Sequence, residues 1–222
     1  MTRKREQQLP LLFERTWGGA RKGAGRPSGS RRTVPHRTRP LHRERFPLHV
    51  TVRARAGLPP FREDILATIL RNAIAAAQRD AFRVLHFSVQ TNHIHLIVEA
   101  HDNIALARGM QWLNARIARR INGALSAHGN VWRERYHARE LHTPRSVRNA
   151  IVYVLMNAKK HGHRLASGID ALSSAPWFDG FARHLPARAE SSPIRAPRTW
   201  LAGVGWRRRG LVALDERPRE PG

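Results

Sequence analysis

From Arg45 to His163 the chain switches between two apolar rhythms, one of period two and one of period three to four. "FPLHVTVRARAG" alternates, with Leu48, Val50 and Val52 on one side and His49, Thr51 and Arg53 on the other, which predicts a strand. Pro59 and Pro60 then open "FREDILATILRNAIAAAQRDAF", where Leu66, Ile69, Leu70, Ala73 and Ala77 recur at helical spacing. "RVLHFSVQ" alternates again and groups Leu85, Phe87 and Val89; a turn at Thr91–Asn92 leads into "HIHLIVEA", so the two runs predict a hairpin. Asp102 or Asn103 caps a second helix whose stripe is Leu106, Met110, Leu113, Ile117, Ile121 and Leu125, with Gly129 as its end. "VWRERYHAREL" reads as a fourth strand. Thr143, with Pro144 at the first helical position, starts a third helix that Gly162 stops.

The order β-α-β-β-α-β followed by α predicts an α+β fold: a ferredoxin-like split βαβ sandwich with helices on one sheet face and the other face open. Three segments follow. Residues 1–44 are dense in Gly, Pro, Ser, Lys and Arg and cannot form a core, which predicts a disordered basic arm. Residues 45–165 carry the periodic elements. Residues 166–222 form an irregular, Trp- and Arg-containing extension that lacks a core of its own.

Charge narrows the partners. Forty Lys and Arg against sixteen Asp and Glu give a formal net charge of +24. Such a field favours a polyanion, and DNA is the expected partner. No 18-residue apolar run exists, so no membrane is expected. The chain has no cysteine, which excludes disulfides and thiolate zinc sites and suits a cytoplasmic, nucleoid-associated setting. "AGRP", with Arg26, matches the centre of a minor-groove hook in part, but Ala24 stands where a second Arg belongs; a nonspecific tether fits better.

The chemistry-bearing residues are few. His93 and His95 lie two apart on a strand, about 6–7 Å along the backbone and on one side, where two imidazoles can converge on a cation. Half-exposed strand histidines bonded to neighbours would look the same. Tyr153 flanks the buried stripe of the third helix, and Asn157, four residues on, projects above it. A tyrosine bridging core and solvent would also look the same.

Taken together, "NHIHLIVE" and the later "YVLMN" resemble the single-tyrosine HUH transposases of the IS200/IS605 type, with REP-associated tyrosine transposases the nearest branch. The likeness runs from about Arg45 to His163 and includes "HVT" and "WRERY". Where that branch often follows its Asn with Pro-Val, Ala158 and Lys159 stand here. The resemblance implies Tyr153 as nucleophile and His93, His95 and Asn157 as ligands of a divalent ion, Mg²⁺ or Mn²⁺. It implies cleavage and rejoining of single-stranded or hairpin DNA through a 5′-phosphotyrosine, with no nucleotide cofactor, by a monomer or homodimer. Consistent with that, no Gly-rich phosphate loop with its Lys is present.

Two other readings stand beside it. A domesticated DNA-binding protein would share the fold without the chemistry. An RNA-binding sheet needs aromatics on its open face, and His49, Thr51, His86, Ser88, His93 and His95 supply none. Arg53, Arg116, Arg119, Arg120 and Lys160 are candidate DNA contacts. Glu99 shares the face of the histidines, as an acid behind a metal ligand or a surface ion pair. Tyr136 reads as structural.

Overall fold

The computed structural model describes residues 40–160, 165, 168–186 and 190–218. Four antiparallel strands, β1 (Leu48–Arg53), β2 (Phe82–Val89), β3 (His93–Ala100) and β4 (His137–Glu140), form one sheet in the order β2-β3-β1-β4. Helices α1 (Asp64–Ala76) and α2 (Asn103–Ala124) cover one face, as a split βαβ sandwich requires. That face buries Val50, Val52, Val84, Phe87, Leu96 and Val98 against the stripes of both helices. Each fully buried Leu, Ile or Phe contributes about 1.5–3 kcal/mol, so this layer is the main source of stability.

The second face is open only in part. Helix α3 (Pro144–Leu155) lies on it, packing Val147, Ile151, Val154 and Leu155 against Leu85 and Ile97. The C-terminal segment completes this second core with Phe178, Phe181, Leu201, Trp206 and Val212; Phe178 stacks on Trp206 with ring centroids 5.5 Å apart. Its tethers include a forked ion pair from Arg62 to the buried Asp170 and another from Arg148 to Glu216. Residues 168–186 and 190–218 therefore build the fold rather than trail from it.

Local differences from the expected elements have identifiable causes. A bulge between Val84 and His86 turns Leu85 to the α3 face, away from Phe87 and Val89. The fourth strand is short. Thr51 pairs with His137 but Ala54 with Trp132, so the edge takes five steps where β1 takes three. The excess lets Trp132 pack edge-on to Phe61 and donate from Nε1 to the Asn114 carbonyl. Helix α2 stops before Gly129, capped at Leu125 with Ser126 at φ 48°. Thr143 and Ser146 form the reciprocal cap of α3. The third helix does not run through to Gly162, which lies outside the described residues. It breaks at Met156, and a short helix α4 (Asn157–Lys160) follows. Packing begins before Arg45: His42 is buried, 2.5 Å from Glu140 Oε1 and 2.9 Å from the Ala100 carbonyl.

Gly109, in the middle of α2, offers a packing test. A methyl there would sit 2.2 Å from Phe82 Cγ, at the base of a ring that cannot swing aside. Alanine would gain about 1 kcal/mol in helix propensity. Overpacking at a buried contact costs about 1–3 kcal/mol, and so close an approach places it at the upper end. Gly109→Ala is expected to destabilise by about 1–2 kcal/mol net, read as a lower midpoint in urea at unchanged slope.

Candidate active site

Strand β3 presents His93 and His95 on the α3 side of the sheet, while Ile94, Leu96 and Val98 go to the α1–α2 core. The two Nε2 atoms stand 3.0 Å apart. Outer contacts orient both rings. His93 Nδ1 is 2.8 Å from Asn92 Oδ1, which can only accept from it, so in the neutral ring Nε2 carries the lone pair. His95 Nδ1 lies 3.1 Å from Thr51 Oγ1 and 3.3 Å from His49 Nε2. Donation from His95 Nδ1 to either partner aims its Nε2 lone pair at that of His93. Two acceptors at this separation repel unless a proton or a cation lies between them.

His49 and Thr51 face the pair because β1 runs beside β3, with Thr51 opposite His95 and Arg53 opposite His93. Burial, with smaller contributions from Arg139 and His137, holds the His49 pKa down at about 4. It is neutral at pH 7 and so can accept from His95 Nδ1. The cap and stripe of α3 bring Tyr153 over the same corner. Its half-buried ring is edge-on to His95 and His49, with centroids 5.1 Å and 5.6 Å away. The Lys160 ammonium lies 5.5 Å from the Tyr153 ring centroid.

Asn157, first residue of α4, is fully buried, and neither amide atom has a hydrogen-bond partner among the described residues. A buried amide left this way costs about 1–3 kcal/mol per group, which a ligand role can justify. Among the described residues no group of three His, Cys, Asp or Glu side chains is placed to hold a metal ion, so a third donor beside the imidazole pair would have to be of another type, such as an amide. Two imidazole nitrogens and an amide oxygen suit a borderline ion such as Mn²⁺ better than Mg²⁺, which prefers oxygen. The residues present fit a divalent ion.

The remaining candidates separate. Arg53 and Lys160 flank the corner just described. Arg116, Arg119 and Arg120 sit on α2, in the opposite layer, and do not join it; Arg116 lies over Trp112 instead. Arg26 lies outside the described residues. Glu99 takes neither expected role: it is buried and accepts from the backbone N–H groups of Arg198 and Thr199. Tyr136 packs with the α1–α2 core, on the far side of the sheet from the histidine pair. His86 is structural, edge-on to Phe178, and burial lowers its pKa to about 4 against a raising effect of Asp179. His49 and Thr51 were visible as polar positions of β1, but only the strand pairing places them behind His95.

The described residues contain no helix long and apolar enough to cross a membrane. A family model described as "Transposase IS200 like" matches residues 44–155. Comparison with curated proteins finds no match. Among solved structures, a REP-associated tyrosine transposase bound to a REP hairpin is similar at 19% sequence identity with a TM-score of 0.52. The similarity covers 74% of this chain and 100% of that one, and it shows a shared fold. The model spans both histidines, Tyr153 and every strand of the sheet, which is half of the sequence: the chain belongs to the IS200-like transposase family.

Proposed function

We propose that this protein is a metal-dependent transposase that cleaves and rejoins single-stranded hairpin DNA through a covalent 5′-phosphotyrosine at Tyr153. The observation that carries the reading is the meeting of Tyr153 with His95, ring to ring at 5.1 Å, beside a histidine pair whose Nε2 atoms converge to 3.0 Å. A DNA hairpin is the substrate class because the similar solved structure holds one and because a +24 chain attracts a polyanion.

His93, His95 and Asn157 would hold a divalent ion, which supplies charge neutralisation at the scissile phosphate. The chain does the rest. Thr51 and His49 keep the His95 ring turned so that its Nε2 faces His93. Tyr153 Oη bonds to phosphorus as the P–O3′ bond breaks; the phenolic proton passes to water, and the departing 3′ oxygen takes one up. Lys160, beside the ring, can pair with a non-bridging oxygen of the same phosphate. The ester at Tyr153 conserves the bond, so attack by a 3′-hydroxyl reseals DNA without a nucleotide cofactor.

The test uses hairpins with randomised flanks, labelled at either end, with and without Mn²⁺. A denaturation-resistant adduct carrying only the 3′-end label, and lost on chelation, is the expected result. DNA retardation with no adduct under any divalent ion would identify a decayed site and overturn the reading.

A further inference from the structure

Away from the histidine pair, past the far end of β3, two cavities adjoin. One of about 560 Å³ is framed by Arg43, Arg45, Arg83 and Arg198; the other, of about 400 Å³, by Arg79, Arg108, Ile104 and Trp112. Both are lined by Ala81 and His101, so they form one groove. Its acids are already committed. Glu99 is held by the Arg198 and Thr199 N–H groups, Asp102 caps α2, Asp80 pairs with Arg83 and Arg198, and Glu44 pairs with His101. Arg43, Arg45, Arg79 and Arg108 have no carboxylate at ion-pair distance among the described residues, and all four are exposed. The apolar wall is also accessible: Ile104 is 60% exposed, and the Trp112 ring is half-buried with the Arg79 guanidinium 4.9 Å above it.

We infer that this groove is a second DNA-binding tract, taking single-stranded DNA that leads away from the Tyr153 corner. Guanidinium groups with no carboxylate partner, beside an apolar, aromatic wall, are the combination that holds phosphates and bases of an unpaired strand together. Duplex DNA would present its bases inward and leave that wall unused. The seven steps from His93 to Ala100 extend about 24 Å, which stacked DNA at about 3.4 Å per nucleotide covers in roughly seven nucleotides. A short strand therefore reaches one site at a time, and a long one both. Only this distance argument rests on the proposed function; the groove's charge and shape do not.

The experiment uses the full chain and labelled oligo(dT) of four and thirty nucleotides, with affinity measured across a salt series. Arg43→Glu, Arg79→Glu and Arg108→Glu are combined in one variant. A control reverses Arg145, Arg208 and Arg209, three exposed residues elsewhere, by the same charge. The tract variant is expected to lose at least about tenfold in affinity for the thirty-mer at 0.15 M salt. The magnitude of its salt slope should fall by about two, since each lost phosphate contact removes about 0.7. The control should lose clearly less, and adduct formation on hairpins whose flanks are too short to reach the groove should persist. Equal losses in the two variants, or none in either, would overturn the tract. An absent wild-type adduct with the tract effect intact would instead sink the proposed chemistry alone.

Discussion

Tyr153→Phe is expected to abolish the DNA adduct, a loss of at least about a thousandfold, or about 4 kcal/mol on the barrier. The change removes one oxygen and keeps the ring, so the edge-on contacts with His95 and His49 persist. No second phenol stands beside it. The only other tyrosine, Tyr136, packs with the α1–α2 core, and a sheet lies between it and the histidine pair. Binding to hairpin DNA should stay within about twofold, because the field that attracts the strand is spread over forty basic residues. Tyr136→Phe is the matched control and should keep the adduct. Survival of the adduct in Tyr153→Phe, or its loss in Tyr136→Phe, would show the nucleophile to be misassigned.

How much of this was readable in advance depends on the range of the interaction. The strand alternations and helix stripes are local, and they placed α1, β2, β3, α2 and the start of α3 in the right order. The shared side of His93 and His95 also follows from strand period alone. Leu85 was misplaced because a bulge shifts the period within β2, and no residue there signals it. The length of β4 was overestimated for a related reason: Trp132 leaves the edge to reach Phe61 and Asn114, partners distant in sequence. The α2 arginines stood out as candidate DNA contacts, but the layer they occupy depends on which sheet face α2 covers. Placing α3 on the opposite face required the C-terminal aromatics, since Trp206 and Phe178 seal a core that its own stripe only begins. His49 and Thr51 show the same limit. Their side of β1 was predictable, whereas their place behind His95 is a matter of register between strands.

Asn157→Leu is expected to stabilise the metal-free protein while disabling it. The amide is fully buried and both of its polar atoms lack partners among the described residues. Each unsatisfied buried group costs about 1–3 kcal/mol, and leucine has nearly the same size with no polar atom to desolvate. A gain of about 1–3 kcal/mol should raise the melting temperature by several degrees in a domain of this length. Mn²⁺ should then stabilise one protein and leave the other nearly unchanged. An ion bound only by the folded form raises the wild-type melting temperature by mass action, and removing a ligand should shrink that increment toward zero. Adduct formation should fall at least about a hundredfold. Asn157→Asp reverses the pattern: an unpaired buried carboxylate lowers metal-free stability, while its oxygen restores the response to Mn²⁺. A less stable Asn157→Leu protein would mean that the amide is held for structural reasons. An unchanged Mn²⁺ increment in that variant would remove Asn157 from the ligand set and leave the two imidazoles to hold the ion without it.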